Sequence, residues 1–385
     1  MTERFNRYTR GFDFQAVNPA NGAARVNYAR NPIALVPVDK FQLRGGLLFA
    51  AVGGNPRGLW NPDANNFSPR AGLAFAVRPR LVLRAGYGIF FENLGSDRTD
   101  IPQQGFDQRT NLVASLDNGQ TYRASIADPF PDGILEPAGA SGGLATYVGR
   151  APVFFWPDRK TGYMQRWSLN IQREFPHRVL VSVGYVGNRG TRLGGAQEFN
   201  PVPAEYLSRS PVRDAAVINR LTAAVTNPFL GIPEFEGSSL QGRTVQTQQL
   251  LRPMPHFTGV SATVDDAFSW YHSLQVRVEK RFAKGFSVQG SYTWSKFMEA
   301  RDKLNDSDLA RHHVISPQDR PQRVVINGIY ELPFGRGRRW LNRSGWVRFV
   351  AGGWQAQASI RGRAARRWAS ATFSFTATST TSCCR

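Results

Sequence analysis

One spacing, met three times, constrains the fold of this chain more than any other feature. An apolar residue is followed by apolar residues at +4 and +8 and by a tyrosine at +14, in Leu73/Val77/Leu81/Tyr87, Ile171/Phe175/Val179/Tyr185 and Val278/Phe282/Phe286/Tyr292. Between +4 and +8 lie Arg78-Pro79-Arg80, Pro176-His177-Arg178 and Ala283-Lys284-Gly285, all basic and turn-forming. The flanking residues have period two. In Leu274-Gln275-Val276-Arg277-Val278-Glu279, and again over residues 286–294, apolar side chains or Gly alternate with polar ones. Residues 81–91, 167–172 and 354–360 behave alike. Each copy of the repeat is therefore a tight antiparallel hairpin with two unlike faces. A further strand is expected near residues 41–51. A last hairpin should join residues 324–330 to 352–360 across a longer Gly/Arg-rich turn.

The connections between hairpins are long, about residues 93–163, 190–270 and 297–321, and rich in Gly, Pro, Asn and Asp. Compact soluble domains seldom hold several structureless segments beyond roughly 12–15 residues. A membrane-spanning β-barrel, by contrast, has short turns at one rim and long loops at the other. Aromatic placement agrees. Phe175, Phe282 and Phe286 stand beside the short turns, and Tyr185, Tyr292 and Trp294 stand six to eight residues up the following strands. At about 3.3 Å per residue and a tilt near 40° the two groups are roughly 15–20 Å apart, as two interfacial girdles would be. The rival, a sandwich core filled by the same aromatics, leaves the loop asymmetry unexplained. On the barrel reading Gln275, Arg277, Glu279, Ser287, Gln289 and Ser291 face the lumen and their alternates face lipid. No apolar run approaches the roughly 18 residues of a membrane helix.

Composition narrows the function. The formal charge is +20, and nearly all of the basic excess is Arg, since the only lysines are Lys40, Lys160, Lys280, Lys284, Lys296 and Lys303. The arginines are scattered, with short knots such as Arg336-Gly337-Arg338-Arg339. Nucleic-acid modules concentrate charge on one stripe, so no nucleic-acid partner is expected, and a soluble DNA-binding β protein is the weakest alternative. Cys383 and Cys384 are adjacent and give neither a disulfide framework nor zinc spacing. His177, His256, His272, His312 and His313 form no metal-ligand arrangement. Asp302, Asn305, Asp306 and Asp308 lack the central Gly and distal Glu of a calcium loop. Gly335-Arg336-Gly337 reads as a turn, and no serine nucleophile with a paired base is evident. The sequence thus assigns no catalytic, cofactor-binding or metal-binding residue, leaves the ligand-binding residues open, and points away from an enzyme.

Six blocks in order carry a resemblance. They are Asn66-Phe67-Ser68-Pro69-Arg70-Ala71-Gly72-Leu73-Ala74-Phe75, Arg84-Ala85-Gly86-Tyr87-Gly88-Ile89-Phe90-Phe91, Gln165-Arg166-Trp167-Ser168-Leu169, Gly184-Tyr185-Val186-Gly187-Asn188-Arg189-Gly190, Ser291-Tyr292-Thr293-Trp294-Ser295-Lys296 and Tyr330-Glu331-Leu332-Pro333-Phe334-Gly335. Together they resemble the barrel of Oar-like TonB-dependent transporters of the bacterial outer membrane, over residues 3–360. The resemblance implies an all-β, antiparallel fold in which about nine strands belong to a 22-stranded barrel. It also implies energised uptake of a carbohydrate, peptide or siderophore-like ligand, without a cofactor. The partners it implies are outer-membrane lipid and lipopolysaccharide, an extracellular ligand, and a TonB-type complex acting through a plug. No export signal, regulatory-like sandwich, plug or TonB box is read here, so the chain is expected to be an internal barrel fragment.

Residues 1–40 are expected to be an N-terminal strand and loop remnant of the barrel, and residues 41–361 its main part. Residues 362–385 form an atypical tail, read as a shifted reading frame or misplaced gene boundary, with a variable loop as the alternative. The last 25 residues hold five Arg, four Ser and five Thr and no acidic residue. The functional rival is a non-transporting outer-membrane anchor or adhesion protein.

Overall fold

The computed structural model describes residues 8–92, 103–106, 110, 112, 114–115, 119–134, 136–137, 139–283, 285–334, 340 and 354–364, and the backbone of 369–379. The chain opens with β1 (Thr9–Val17), helix α1 (Asn21–Arg30) and β2 (Arg44–Phe49). Next come β3 (Arg70–Arg78), β4 (Leu81–Phe91), β5 (Val153–Phe154), β6 (Tyr163–Phe175) and β7 (Val179–Glu198). A stretch with α2 (Ala215–Thr222), β8 (Ala224–Thr226), β9 (Thr244–Gln246) and α3 (Thr247–Leu251) leads to the long strands β10 (Ser261–Ala283) and β11 (Phe286–Ala300). The remainder is β12 (Val314–Ile315), β13 (Gln322–Glu331), β14 (Trp354–Ala364) and β15 (Ala369–Ser379).

Nine of these strands form one antiparallel meander in the order β3-β4-β6-β7-β10-β11-β13-β14-β15, with β5 and β12 added at its side. This is the expected all-β wall. It is an open arc, because β3 and β15 are its two edges. The expected hairpins form at the tight turns, where the register slips by a bulge at Ala76/Arg78 and at Lys280/Ala283. Backbone in the left-handed region closes them: Arg80 has φ 67°, His177 and Arg178 have φ 66° and 61°, and Gly285 has φ 87°. Three non-glycine residues in that region are uncommon and mark constrained turns. Lys284 lies outside the described residues.

The register gives the +14 tyrosines a physical meaning. Tyr87 pairs with Trp167, which pairs with Gly187, two residues above Tyr185. Tyr185 pairs with Leu274, which pairs with Trp294, two residues above Tyr292. Equivalent positions therefore shift by two residues per hairpin, or one per strand. A shift of about 3.3 Å across a strand spacing of about 4.8 Å corresponds to a tilt of about 35°, the inclination of strands in a membrane barrel.

Cross-strand rows show two chemically distinct faces. One row reads Phe75-Leu83-Ile171-Val183-Val276-Tyr292-Val324, entirely apolar or aromatic. Leu169, Ile171, Val183, Val278 and Ile326 on this face are 41–49% exposed. So extended an apolar surface is unfavourable in water and is the normal outer surface of a barrel in lipid. At the long-loop end Tyr87, Trp167, Tyr185 and Trp294 form the upper belt. The indole of Trp167 covers Gly187, where any Cβ would collide with it. At the tight-turn end stand Phe175, Phe286, Tyr330 and Trp354. The guanidinium of Arg173 sits 4.9 Å from the Phe175 ring centre and the ammonium of Lys280 sits 5.2 Å from that of Phe286, as basic groups do at an interface.

The long connections are not structureless. Because each tight hairpin returns the chain to the rim it left, residues 8–69, the described residues of 92–162, and the connections 199–260 and 301–321 lie at one rim, and three of these segments share a hydrophobic core there. Phe41, Phe154, Phe229, Phe235, Phe257 and Tyr28 are fully buried in it. Tyr28 stacks on Phe41 with ring centres 4.0 Å apart, and Trp156 stacks on Phe199 at 5.4 Å. β5 pairs in parallel with the start of β10, and Phe155 N donates to Thr9 O at 3.0 Å, so this cap grows directly from the sheet.

Two expectations change here. The segment 1–40 contributes β1 and α1 to the cap rather than a strand to the barrel wall. The strand expected near 41–51 forms as β2, but it pairs with β1 in a two-stranded sheet of its own. Both differ for the same reason: the apolar side chains of these segments, among them Phe12, Leu43, Leu47 and Phe49, find a protein core instead of lipid. In the tail, β15 pairs with β14 from Trp354↔Ser379 to Ala364↔Ala369, so the sheet continues past residue 362. The Gly/Arg-rich knot 336–339 and Cys383-Cys384 lie outside the described residues. The end of β13 and the start of β14 lie at the rim of the tight turns, since Glu331 N donates to Gly285 O at 2.8 Å and Leu332 N to Trp354 O at 2.9 Å.

Candidate functional site: the lumen wall and the outer cap

The second face of the meander is polar. Gln275, Arg277 and Glu279 stand opposite Thr293, Ser291 and Gln289 across the β10–β11 pair. All six lumen residues expected from the alternation, Ser287 included, fall on this face. Its groups are partly tied to one another. Asn170 and Ser182 exchange hydrogen bonds at 2.8 and 3.1 Å, Arg84 donates to Gln172 at 3.0 Å, and Ser359 donates to Asn327 at 2.8 Å. Arg277 pairs with Glu279 at 3.1 Å. A cleft of about 460 Å³ opens among Arg84, Asn170, Ser182 and Arg277. A second, of about 700 Å³, lies nearer the cap between β10–β11 and β13–β14.

Buried polar side chains hold the cap together. Asn200 Nδ2 donates to Met254 O and Phe257 O, both at 2.9 Å, while its Oδ1 accepts from Met254 N at 2.8 Å. Asn18 donates to Gly45 O at 3.0 Å and to Leu144 O at 2.8 Å. Asn227 joins Leu240 O and Gly242 O in the same way, at 2.7 and 2.6 Å. Each amide satisfies backbone groups that irregular buried chain would otherwise leave unpaired. Two ion pairs join the cap to a bulge in β10. Arg159 Nε donates to Asp265 at 2.8 Å with both side chains nearly buried, and Arg311 Nε donates to Asp266 at 2.6 Å. The sequence reading missed these residues. The adjacent pair Asp265-Asp266 in an otherwise alternating strand was the available signal.

The histidines disperse. His256 is buried in the cap, where its Nε2 faces Gly45 O at 3.2 Å and its Nδ1 has no partner among the described residues. Burial lowers its pKa to about 4, against a smaller opposing effect of the Gly45 carbonyl. His272 lies on the lipid-facing side, hydrogen-bonded to Tyr185 Oη at 2.6 Å. His177 is in a tight turn, and His313 packs edge-on against Phe268 and Trp270 in a loop, beside an exposed His312. Asp308 accepts from Asn305 N at 2.8 Å, closing a local turn. Among the described residues no three His, Cys, Asp or Glu gather as a metal site. The pentapeptide Gly139-Ala140-Ser141-Gly142-Gly143 has the G-x-S-x-G spacing of a nucleophile elbow. It folds as 3₁₀ turns over Gly139–Ala145, without the strand-to-helix junction that such chemistry needs.

A tilted antiparallel meander with a lipid-type outer face, two aromatic belts, a polar inner face and long loops at one rim defines the wall of an outer-membrane β-barrel. The chain belongs to the family of outer membrane beta barrel domains, whose family model matches residues 1–380. It is accordingly a protein of the bacterial outer membrane. No curated protein matches it.

Among solved structures, the chain is similar to the alcaligin outer membrane receptor FauA of Bordetella pertussis, at 11% identity and a TM-score of 0.34 over 86% of this chain and 34% of that one. It is similar to the hemophore receptor HasR of Serratia marcescens, solved with its hemophore HasA and heme, at 10% identity and a TM-score of 0.38 over 80% and 33%. It is also similar to the outer membrane transporter YddB of Escherichia coli, at 10% identity and a TM-score of 0.37 over 77% and 28%. The chain thus spans about a third or less of the length of these receptors.

Proposed function

We propose that this chain is part of the barrel wall and outer cap of a TonB-dependent receptor, which binds an extracellular ligand at the cap and passes it along the lumen when an energised plug rearranges. The observation that carries the reading is the continuity between the folded cap and the cleft-bearing polar lumen face. An anchor needs no such passage. The six sequence blocks that resemble Oar-like transporters support the same assignment, and a carbohydrate, peptide or siderophore-like ligand fits it. In this reading the protein binds and transports without transforming its ligand, and its other partners are lipid and lipopolysaccharide around the belts.

Site-specific cross-linking of the whole protein to the TonB-type protein of its own cells tests the reading. A cross-link that strengthens when spent culture medium supplies ligand is the expected result. A surface-exposed protein that never cross-links, and whose deletion abolishes cell adhesion, would establish the anchor instead.

A further inference from the structure

Charge on the lumen face is concentrated and unanswered in one place. Arg320, Arg323, Arg361 and Arg363 line the cleft of about 700 Å³ together with Tyr271 and Phe297. Arg323 and Arg363 stand directly opposite each other across β13 and β14, and Arg361 faces Val325, the next lumen-side position. Like charges directly opposed across strands destabilise the pairing. Elsewhere on this face Arg84 donates to Gln172 and Arg277 pairs with Glu279, and no other described cleft gathers four arginines. Among the described residues none of the four cleft arginines forms an ion pair. Among the described residues Arg320 donates to the carbonyls of Pro317 and Asp319, at 3.1 and 2.7 Å, and to no carboxylate. The nearby Asp319 carboxylate is buried and accepts from Phe297 N at 2.8 Å, so its side chain is already engaged. All four arginines are exposed residues lining the cleft.

We propose that this cleft binds a small multivalent oxyanion, a ligand bearing two or more carboxylate or phosphate groups. Planar guanidinium forks take such groups in pairs of parallel hydrogen bonds. Tyr271 and Phe297 supply apolar surface for the rest of the molecule, and the volume falls in the range of small-ligand sites, about 300–1,000 Å³. The cleft lies just below the cap, because Gln318 and Arg320 belong to the 301–321 connection. This inference deepens the receptor reading and rests on it for the direction of transport, though not for the binding chemistry.

The test titrates citrate and, separately, tripolyphosphate into the full-length protein in detergent, by calorimetry. At least one should bind with an affinity that falls as salt rises. The double variant Arg323→Gln/Arg361→Gln should weaken it about 100-fold, roughly tenfold for each charged hydrogen-bonding partner removed, while Arg178→Gln, in a tight turn at the far rim, leaves it unchanged. Which probe binds distinguishes a carboxylate from a phosphate ligand. Heat-modifiable migration on unboiled gels reports separately whether each protein is a folded barrel, so a failed barrel reading shows there and not in the titration. Equal affinity in the double variant would overturn the proposal. So would failure of a folded barrel to bind either probe; protection of the arginines from phenylglyoxal would then show that an acidic segment of the same protein occupies the cleft.

Discussion

Val278 is the position where a charge should be least tolerated. It faces lipid between Val181 on β7 and Gly290 on β11. Gly290 lies four residues from Phe286 in the lower belt and four from Trp294 in the upper one. At a tilt of about 35° each residue climbs about 2.7 Å along the membrane normal, so the belts are about 22 Å apart, close to the ~25 Å apolar band of such barrels. Val278 is therefore at the midplane, where an arginine costs roughly 2–4 kcal/mol, or about 30- to 1,000-fold in the folding equilibrium. Val288→Arg should cost only about 0–1 kcal/mol, because Val288 stands opposite Lys280 near the lower interface. Gln289→Arg, one residue on and facing the lumen opposite Glu279, should change stability little. Urea titrations of the full-length protein refolding into phospholipid vesicles give the three values. Equal costs at 278 and 289 would mean that the assigned faces are wrong, and a larger cost at 288 than at 278 would refute the tilt.

Acid should loosen the cap through His256. Its pKa in the folded protein is about 4, below the ordinary 6.5, so as pH falls the unfolded cap binds the proton first. The contribution is complete above pH ~6.5 and is lost progressively toward pH ~4, by up to about 1.4 kcal/mol per pH unit. Limited proteolysis across that window should show the loss, and His256→Gln, which can still donate to Gly45 O, should flatten it; an unchanged pH profile would remove the role given to His256. Asn200→Leu leaves Met254 N unpaired, while Met254 O and Phe257 O each lose one of two donors and keep Phe257 N and Gln249 Nε2; it should destabilise the cap by roughly 1–3 kcal/mol, seen as new protease cleavage within 199–260 while heat-modifiable migration persists. Finally, the 385-residue chain by itself should aggregate in plain buffer, because β3 and β15 leave two open edges beside an apolar face. A sharp, reversible thermal transition there would count against the barrel.

The barrel wall was legible because its signals are local. Turn chemistry at Pro79, His177 and Gly285 and the period of two around them specify each hairpin within about 25 residues, and face assignment follows from parity. The shift of two residues per hairpin was present in the tyrosine spacing, yet its meaning as strand tilt needed the cross-strand register. The cap was not legible. Its core joins Phe41, Phe154, Phe229 and Phe257, residues from three distant segments with little regular structure, so no periodicity marks them. Its buried asparagines look in sequence like the loop asparagines they sit among. β2 shows the limit from the other side: an apolar run of strand type was read correctly as a strand, but nothing local states whether lipid or a protein core covers it.

Sidedness tests the central claim most directly. The tight turns and the cap must lie on opposite sides of the membrane if the meander spans it. Single cysteines at Glu236 and Asp306, both exposed in the long connections, and at His177 in a tight turn, should be placed in the full-length protein and treated on intact cells with a membrane-impermeant thiol reagent. Labelling at Glu236 and Asp306, with His177 reacting only after lysis, is the predicted result. Labelling of His177 with protection of the other two would invert the topology, and labelling of all three on intact cells would contradict a spanning barrel.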